Sequence, residues 1–165
     1  MMLRTATLAD AQAISLIYNH YVVNSTVTFE QEPVDETEMA NRIQALLADA
    51  LPWLVLEVDG QILGYGYAGK WRSRFGYRFS LELSVYLATD ATGKGYGSMV
   101  LQQLLSHVSK LGYHTVIAGI ALPNAASVAL FEKFGLTKVA HFSETGTKFG
   151  QWLDVGYWQL LLPHN

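Results

Sequence analysis

The stretch from Leu81 to Val100 reads LELSVYLATDATGKGYGSMV. It predicts a strand, a glycine-rich turn and the first turns of a helix, because apolar residues alternate up to Leu87 and glycines follow at positions 93, 95 and 97. A turn with so few side chains exposes its backbone N–H groups, and the start of a helix adds a partial positive charge. The segment therefore predicts a site for a phosphate or pyrophosphate.

Composition limits the classes of protein to consider. The length of 165 residues fits one domain, 1–165, and a hydrophobic content of 50% predicts a sizeable core. The net charge of −3 gives no reason to expect nucleic acid as a partner. No apolar run is long enough to span a bilayer, and the first residues lack the apolar segment of a signal peptide. We therefore expect a cytoplasmic protein that binds neither nucleic acid nor membrane.

The chain contains no cysteine, which excludes disulfides, thiolate metal sites and a cysteine nucleophile. The histidines, at positions 20, 107, 114, 141 and 164, are scattered and show no HExxH or similar spacing. We expect no metal site. A GxSxG motif is also absent, so a serine hydrolase of that type is disfavoured.

Periodicity predicts the element order β-α-α-β-β-β-α-β-α-β-β. Thr7, Asp35 and Asn124 are predicted to cap helices, and Thr7 is predicted to form a capping box with Asp10 in the place of the usual Glu. The expected fold is α/β (α+β), with a mixed sheet and helices on both faces. The predicted strands are 3–6, 54–58, 62–69, 79–87, 115–121, 137–142 and 152–162, and polar loops are predicted at 24–32 and 144–150.

Two common nucleotide motifs do not fit the glycine-rich turn. The Walker A pattern GxxxxGK[ST] is absent. The dinucleotide pattern GxGxxG would require glycine at the position of Val100, and its loop follows the first strand of a fold, whereas this one follows the fourth. A tight strand-to-helix turn without a ligand remains the alternative.

The segment Thr92–Gly97 resembles motif A of the GCN5-related N-acetyltransferases, [QR]-x-x-G-x-[GA], with Thr92 in place of the usual Arg or Gln. Four further segments resemble the phosphinothricin acetyltransferase subfamily, namely 18–29, 67–72, 122–128 and 148–155. The resemblance implies a mostly antiparallel sheet of about seven strands and a homodimer. It also implies transfer of acetyl from acetyl-CoA to the α-amino group of a small amino acid such as L-phosphinothricin, methionine sulfoximine or methionine sulfone. Because cysteine is absent, we expect direct attack in a ternary complex.

The resemblance also assigns the residues that hold acetyl-CoA. Main-chain amides at the start of the helix face the pyrophosphate, and the backbone of the preceding strand lies along the pantetheine arm and polarises the thioester carbonyl. Asn124 matches a family position near that arm, which is compatible with its role as a helix cap. The predicted co-substrate residues are Gly93, Lys94, Gly95, Gly97 and Ser98 at the helix start and Val85, Tyr86 and Leu87 on the strand.

Glu82 is the candidate general base. Strand alternation places it on one face with Ser80, Ser84 and Tyr86. A carboxylate on the strand that leads into the donor loop can reach the acceptor amine directly or through water. Glu82 also aligns with the catalytic glutamate of the subfamily. The alternative is a solvated glutamate on the polar side of a sheet.

A local basic run suggests where the acceptor binds. Lys70, Arg72, Arg74 and Arg78 fall within nine residues, and guanidinium groups bind carboxylates and phosphinates bidentately. The resemblance places Arg72, Arg74 and Tyr77 on the substrate side and makes Phe29 an apolar wall of the same pocket. The alternative is a solvated loop.

Phe131 departs from the subfamily, whose members often have His or Tyr there. Phenylalanine cannot protonate the leaving thiolate, so either the thiolate leaves unaided or a tyrosine such as Tyr86 or Tyr113 donates the proton.

Two other functions stay open. One is acetylation of another amine, either a peptide N-terminus or a polyamine, although a polyamine would require an acidic pocket. The other is a non-catalytic CoA-binding regulatory module, which Thr92 and Phe131 would favour.

Overall fold

The computed structural model describes residues 1–163, so His164 lies outside the described residues. Within that range the chain forms seven strands and four helices in the predicted order. The elements are β1 (Met2–Thr5), α1 (Ala11–Asn24), α2 (Glu36–Ala48), β2 (Trp53–Val58), β3 (Gln61–Lys70), β4 (Ser80–Leu87), α3 (Tyr96–Lys110), β5 (Thr115–Leu122), α4 (Ala125–Lys133), β6 (Thr137–Lys148) and β7 (Gln151–Leu161).

The predicted helix caps are present. Asp35 accepts a hydrogen bond of 2.8 Å from the backbone N–H three residues on, and Asn124 accepts one of 3.2 Å in the same way. Asp10 accepts a hydrogen bond of 2.8 Å from the backbone N–H of Thr7, which is the reciprocal half of the predicted capping box. The Arg4 guanidinium also binds the Asp10 carboxylate through two contacts of 2.8 Å, which joins β1 to the start of α1.

The seven strands form one sheet in the order β1-β2-β3-β4-β5-β7-β6. Every neighbouring pair is antiparallel except β4 and β5, which are parallel. Residues of α1 and α2 pack with Trp53, Val55 and Tyr65 on one face, and residues of α3 and α4 pack on the other. The predicted mixed, mostly antiparallel sheet with helices on both faces is therefore confirmed.

The parallel pair separates soon after it forms. Ser80–Glu82 pair with Thr115–Ile117, and no pairing follows, although β4 continues to Leu87 and β5 to Leu122. The backbone of β4 beyond Glu82 is thus unpaired on its β5 side. Such groups need other partners, so this gap is a natural place for a ligand to bind.

Two predictions about strands are wrong. The loop expected at 144–150 is mostly strand, since β6 runs to Lys148 with a bulge between Phe142 and Gly146, and only Phe149 and Gly150 form the turn. The bulge disturbs the alternation by which a strand is recognised. The strand predicted to start at residue 79 begins at Ser80, and Phe79, which precedes it, is 49% exposed.

None of the helices among the described residues is long and apolar enough to cross a membrane.

Candidate active site

A cavity of about 420 Å³ lies where β4 and β5 separate. Tyr21 and Val27 close one side of it, and the first turns of α3 and α4 close another. Eight of the residues predicted to bind the co-substrate line this cleft: Val85, Tyr86, Leu87, Gly93, Gly95, Gly97, Ser98 and Asn124. Lys94, the ninth, is exposed and is not part of the lining.

The glycine-rich turn has the backbone conformation that its sequence suggests. Gly93 and Gly95 have φ angles of 73° and 81°, in the left-handed region where a side chain would be strained. Crowding is not the reason for glycine at these two positions, because nothing lies within 4 Å of where a Cβ would stand on either residue. Gly95 is the N-cap of α3, so the turn leads directly into the N–H groups of the helix start.

Two polar contacts at this end of the cleft were not predicted. The Lys133 ammonium on α4 donates a hydrogen bond of 3.1 Å to the Ser98 hydroxyl, which places a cation beside the N-terminus of α3. The Thr92 hydroxyl donates to the Thr89 carbonyl at 3.1 Å and is therefore engaged within its own turn. Lys133 lies far from the motif in sequence, so only the fold reveals its position.

Glu82 is half-buried on the face of the sheet that α1 and α2 cover. It pairs with Gly69 across β3 and β4. A Cβ added to Gly119 would stand 3.4 Å from Glu82 Oε1 and 3.0 Å from the Tyr157 ring, so the missing side chain leaves room for both. Burial raises the pKa of the Glu82 carboxyl, and the charge of Arg72 partly opposes this.

A cluster of aromatic rings lies near this carboxylate on the β7 side and approaches it through Tyr157. The Tyr157 ring meets Trp71 and Phe142 nearly edge to face, with ring centroids 5.5 and 5.7 Å away. Trp71 follows β3, Phe142 lies on β6 and Tyr157 lies on β7, so no local sequence pattern joins these rings. The close approach at Gly119 is what links Tyr157 to Glu82.

The family model for the acetyltransferase (GNAT) domain matches residues 3–156. This chain belongs to the GNAT acetyltransferase family. A methionine sulfoximine and methionine sulfone acetyltransferase from Salmonella typhimurium is 38% identical over 165 residues, which are 100% of this chain and 96% of that relative.

Two solved structures have closely similar folds. A GNAT phosphinothricin acetyltransferase from Sinorhizobium meliloti, in complex with acetyl-CoA, matches with a TM-score of 0.94 and 37% identity, covering 98% of this chain and 88% of that one. A ribosomal-protein-alanine N-acetyltransferase from Brucella melitensis matches with a TM-score of 0.96 and 37% identity, covering 98% and 100%. The names of these relatives thus include both free amino acids and protein termini.

The predicted basic clamp of this GNAT protein is only partly assembled within one chain. Arg72 lies 5.0 Å from the Trp71 ring centroid and close enough to Glu82 to affect its pKa. Arg74 and Tyr77 stand in an exposed turn and line neither the cleft nor any other described cavity. The other two basic residues have intrachain partners: Lys70 pairs with Asp49 at 3.0 Å, and Arg78 stacks on Phe75 and Phe79.

The cleft of this GNAT domain has no polar side chain at position 131. Phe131 lines it and is 5% exposed. Of the two tyrosines considered as proton donors, Tyr86 lines the cleft, whereas Tyr113 packs against the core under α3. Burial raises the pKa of Tyr86 well above its ordinary value, so its hydroxyl stays protonated.

Lys148 ties the loop after α1 to the β6–β7 hairpin. Its side chain is 1% exposed, and its ammonium donates to the carbonyls of Thr28 at 2.8 Å and Tyr21 at 3.5 Å. Phe29, the predicted pocket wall, packs on the same hairpin. Its ring covers Gly146 so closely that it occupies the space where a Cβ of that residue would otherwise stand. Sequence reasoning placed Lys148 in a surface loop and so missed this contact.

We predict that Lys148→Met weakens the attachment of this loop to the hairpin. Removing a charged donor from buried carbonyls should lower the free energy of unfolding by about 1.5–3 kcal/mol. Amide hydrogen exchange should also rise at residues 25–30, whereas Lys110→Met, on the exposed end of α3, should change neither quantity. Urea unfolding and exchange mass spectrometry measure the two effects, and equal protection in both variants would contradict the prediction.

Proposed function

We propose that this protein transfers the acetyl group of acetyl-CoA to the α-amino group of a small amino acid. The observation that supports this most directly is the position of Glu82. Its half-buried carboxylate lies on β4 at the point where the strands separate and the cleft begins. The acetyl-CoA in the Sinorhizobium meliloti relative supports the choice of donor.

The cleft suits a pyrophosphate-bearing thioester in its chemistry. The N-terminus of α3 and the Lys133 ammonium offer N–H donors and positive charge at one end. The unpaired backbone beyond Glu82 offers further hydrogen bonds along an extended arm. When bound, acetyl-CoA supplies the activated acetyl group, and main-chain amides of Val85, Tyr86 and Leu87 are the proposed polarisers of its carbonyl.

Glu82 has the role of general base in this proposal. An α-amino group is mostly protonated at neutral pH, and only the neutral amine attacks. A carboxylate whose pKa is raised by burial is a better proton acceptor than a solvated one. Phe131 has no proton to give, so the departing thiolate either leaves unaided or takes a proton from Tyr86, whose hydroxyl stays protonated in the cleft.

The proposed acceptors are L-phosphinothricin, methionine sulfoximine and methionine sulfone. The named activities of the Salmonella typhimurium and Sinorhizobium meliloti relatives support them. A peptide N-terminus is the second candidate, and the name of the Brucella melitensis enzyme favours it. A polyamine is less suitable, because Arg72 places positive charge near Glu82.

A thiol-release assay over a panel of amines tests the proposed function. We expect release of free CoA with methionine sulfone, methionine sulfoximine or L-phosphinothricin at kcat/KM well above that for spermidine. A peptide that begins with alanine should be a poorer substrate than these amino acids. Preference for the peptide would replace the proposed acceptor class, and saturable acetyl-CoA binding without turnover on any amine would favour the regulatory module instead.

Replacement of Glu82 by glutamine should lower kcat by about 10²–10⁴-fold, the range for loss of a general base. Acetyl-CoA binding measured by calorimetry should stay the same, because the base does not hold the donor. In the wild type, kcat/KM should fall at acid pH with an apparent pKa above the ordinary 4.5, since only the carboxylate accepts a proton. Glu32→Gln, at an exposed loop position, is the matched control. Unchanged turnover of Glu82→Gln would exclude this residue as the base.

We also propose that the enzyme is a cytoplasmic homodimer that associates through the β6–β7 hairpin. Large apolar side chains are exposed beside the turn of this hairpin, with Trp152 at 70% and Phe149 at 56%. A cluster of exposed apolar residues on one edge of a sheet is typical of a protein–protein interface. A partner on this edge would also lie near the loop that Lys148 holds.

Trp152→Glu should convert the proposed dimer to a monomer, because it places a charge in an apolar interface. Light scattering coupled to size exclusion measures the mass directly. Phe75→Glu is the matched control, since Phe75 is 78% exposed but lies in the β3–β4 connection. A wild-type protein that runs as a monomer would contradict the dimer, and a dimeric Trp152→Glu protein would contradict this choice of surface.

A further inference from the structure

A second cavity, of about 370 Å³, lies between α2 and strands β2 and β3. Its wall is mostly aromatic and aliphatic, and its volume falls within the usual range for small-molecule sites. Trp53 and Tyr67 stack in this wall with ring centroids 4.4 Å apart, and Met39 and Leu46 face them from α2. Lys70 of the predicted basic run lines this cavity, whereas Glu82 and the residues predicted to bind acetyl-CoA do not.

The second cavity adjoins the candidate base. Gly69 lines the cavity and pairs directly with Glu82, and Tyr67 lines it and pairs with Ser84. Directly paired residues on neighbouring strands point to the same face of the sheet. No atom lies within 4 Å of where a Cβ on Gly69 would stand, so the surface between the cavity and Glu82 is open.

Glu82 therefore stands between two cavities. Ser84 and Gly119, on one side of it, line the cleft proposed for acetyl-CoA. Gly69 and Tyr67, on the other side, line the second cavity. An amine held beside Glu82 could face the thioester in one cavity while the rest of the molecule occupies the other.

The charged groups of the second cavity are already paired. Arg42 binds Glu30 at 2.6 Å and Glu38 at 3.0 Å, and Lys70 binds Asp49 at 3.0 Å. An anionic side chain entering here would have to displace one of these carboxylates. The cavity thus favours a neutral side chain over a charged one.

One polar group in the wall lacks a partner. The indole N–H of Trp53 is, among residues 1–163, the buried side-chain polar atom without a hydrogen bond. A buried donor in this state is unfavourable, because it has lost its contact with water and gained no other partner. A ligand oxygen that reached the indole edge would remove this penalty, so the wall suits an apolar side chain that ends in a neutral acceptor.

We infer that the second cavity receives the side chain of the acceptor, and that this side chain is neutral, largely apolar and ends in a hydrogen-bond acceptor, as that of methionine sulfone does. This inference rests on the proposed function and narrows its substrate class. The basic residues after β3 would instead favour an anionic acceptor such as L-phosphinothricin. The two sites therefore select different members of the same panel.

Ala45 and Ala48 on α2 provide a matched pair of variants. Both alanines are exposed, but only Ala45 lies on the rim of the second cavity. Ala45→Phe should lower the ratio of kcat/KM for methionine sulfone to that for glycine by about tenfold or more, mainly through KM, because glycine has no side chain to exclude. Ala48→Phe should leave both values at the wild-type level. Ala45→Leu, a smaller change at a helical position, should give an intermediate ratio.

The outcomes separate the inference from the proposed function. The ratio of kcat/KM for methionine sulfone to that for glycine could be the same in Ala45→Phe, Ala48→Phe and the wild type. That result would overturn the cavity as the acceptor site and leave the proposed acetyltransferase activity in place. A wild-type protein that prefers L-phosphinothricin to methionine sulfone would also overturn the inference, because it would indicate that the basic residues after β3 bind the acceptor side chain instead. A wild-type protein with no turnover on any amino acid would overturn the proposed function itself.

Discussion

The early end of the pairing between β4 and β5 is the constraint on which the rest of the site depends. Three residues of each strand pair, and the strands then diverge. A sheet that continued to pair would satisfy the backbone of β4 and leave no cleft. The divergence opens a groove between the strands, and the glycine turn and α3 follow at its end. The proposed donor site is therefore a consequence of the geometry of the sheet.

The environment of Glu82 follows from two residues that lack side chains. Gly69 pairs with Glu82 on β3, and Gly119 lies close to its carboxylate on β5, two residues beyond the Ile117 that pairs with it; each glycine leaves space where a side chain would otherwise stand. The same carboxylate is half-buried, which raises its pKa and makes it a better proton acceptor. Glu82 lies on β4, between β3 and β5. This position buries its carboxylate and so raises the pKa, while the glycines on the two flanking strands leave the carboxylate open to a ligand from both directions.

The sequence predicted the features that depend on local pattern. Element order, the caps at Asp35 and Asn124, and the glycine turn all follow from short-range rules. Contacts between distant segments could not be found in this way. Lys148 looks like a surface lysine beside a glycine turn, yet it is buried against a loop 120 residues earlier in the chain. Tyr157 reaches Glu82 only because Gly119 lies between their strands in the sheet.

The stacked rings on the face beneath α1 and α2 also give the protein an optical signature. Trp53 and Tyr67 are 4.4 Å apart, and Tyr65 and Tyr86 continue the row with a spacing of 5.4 Å. Electronic transitions of rings held this close, at fixed angles, couple with one another and produce a characteristic near-ultraviolet circular dichroism. Since Trp53 borders the second cavity and Tyr86 borders the cleft, this one row of chromophores spans both, and its spectrum reports on both sites without any added label.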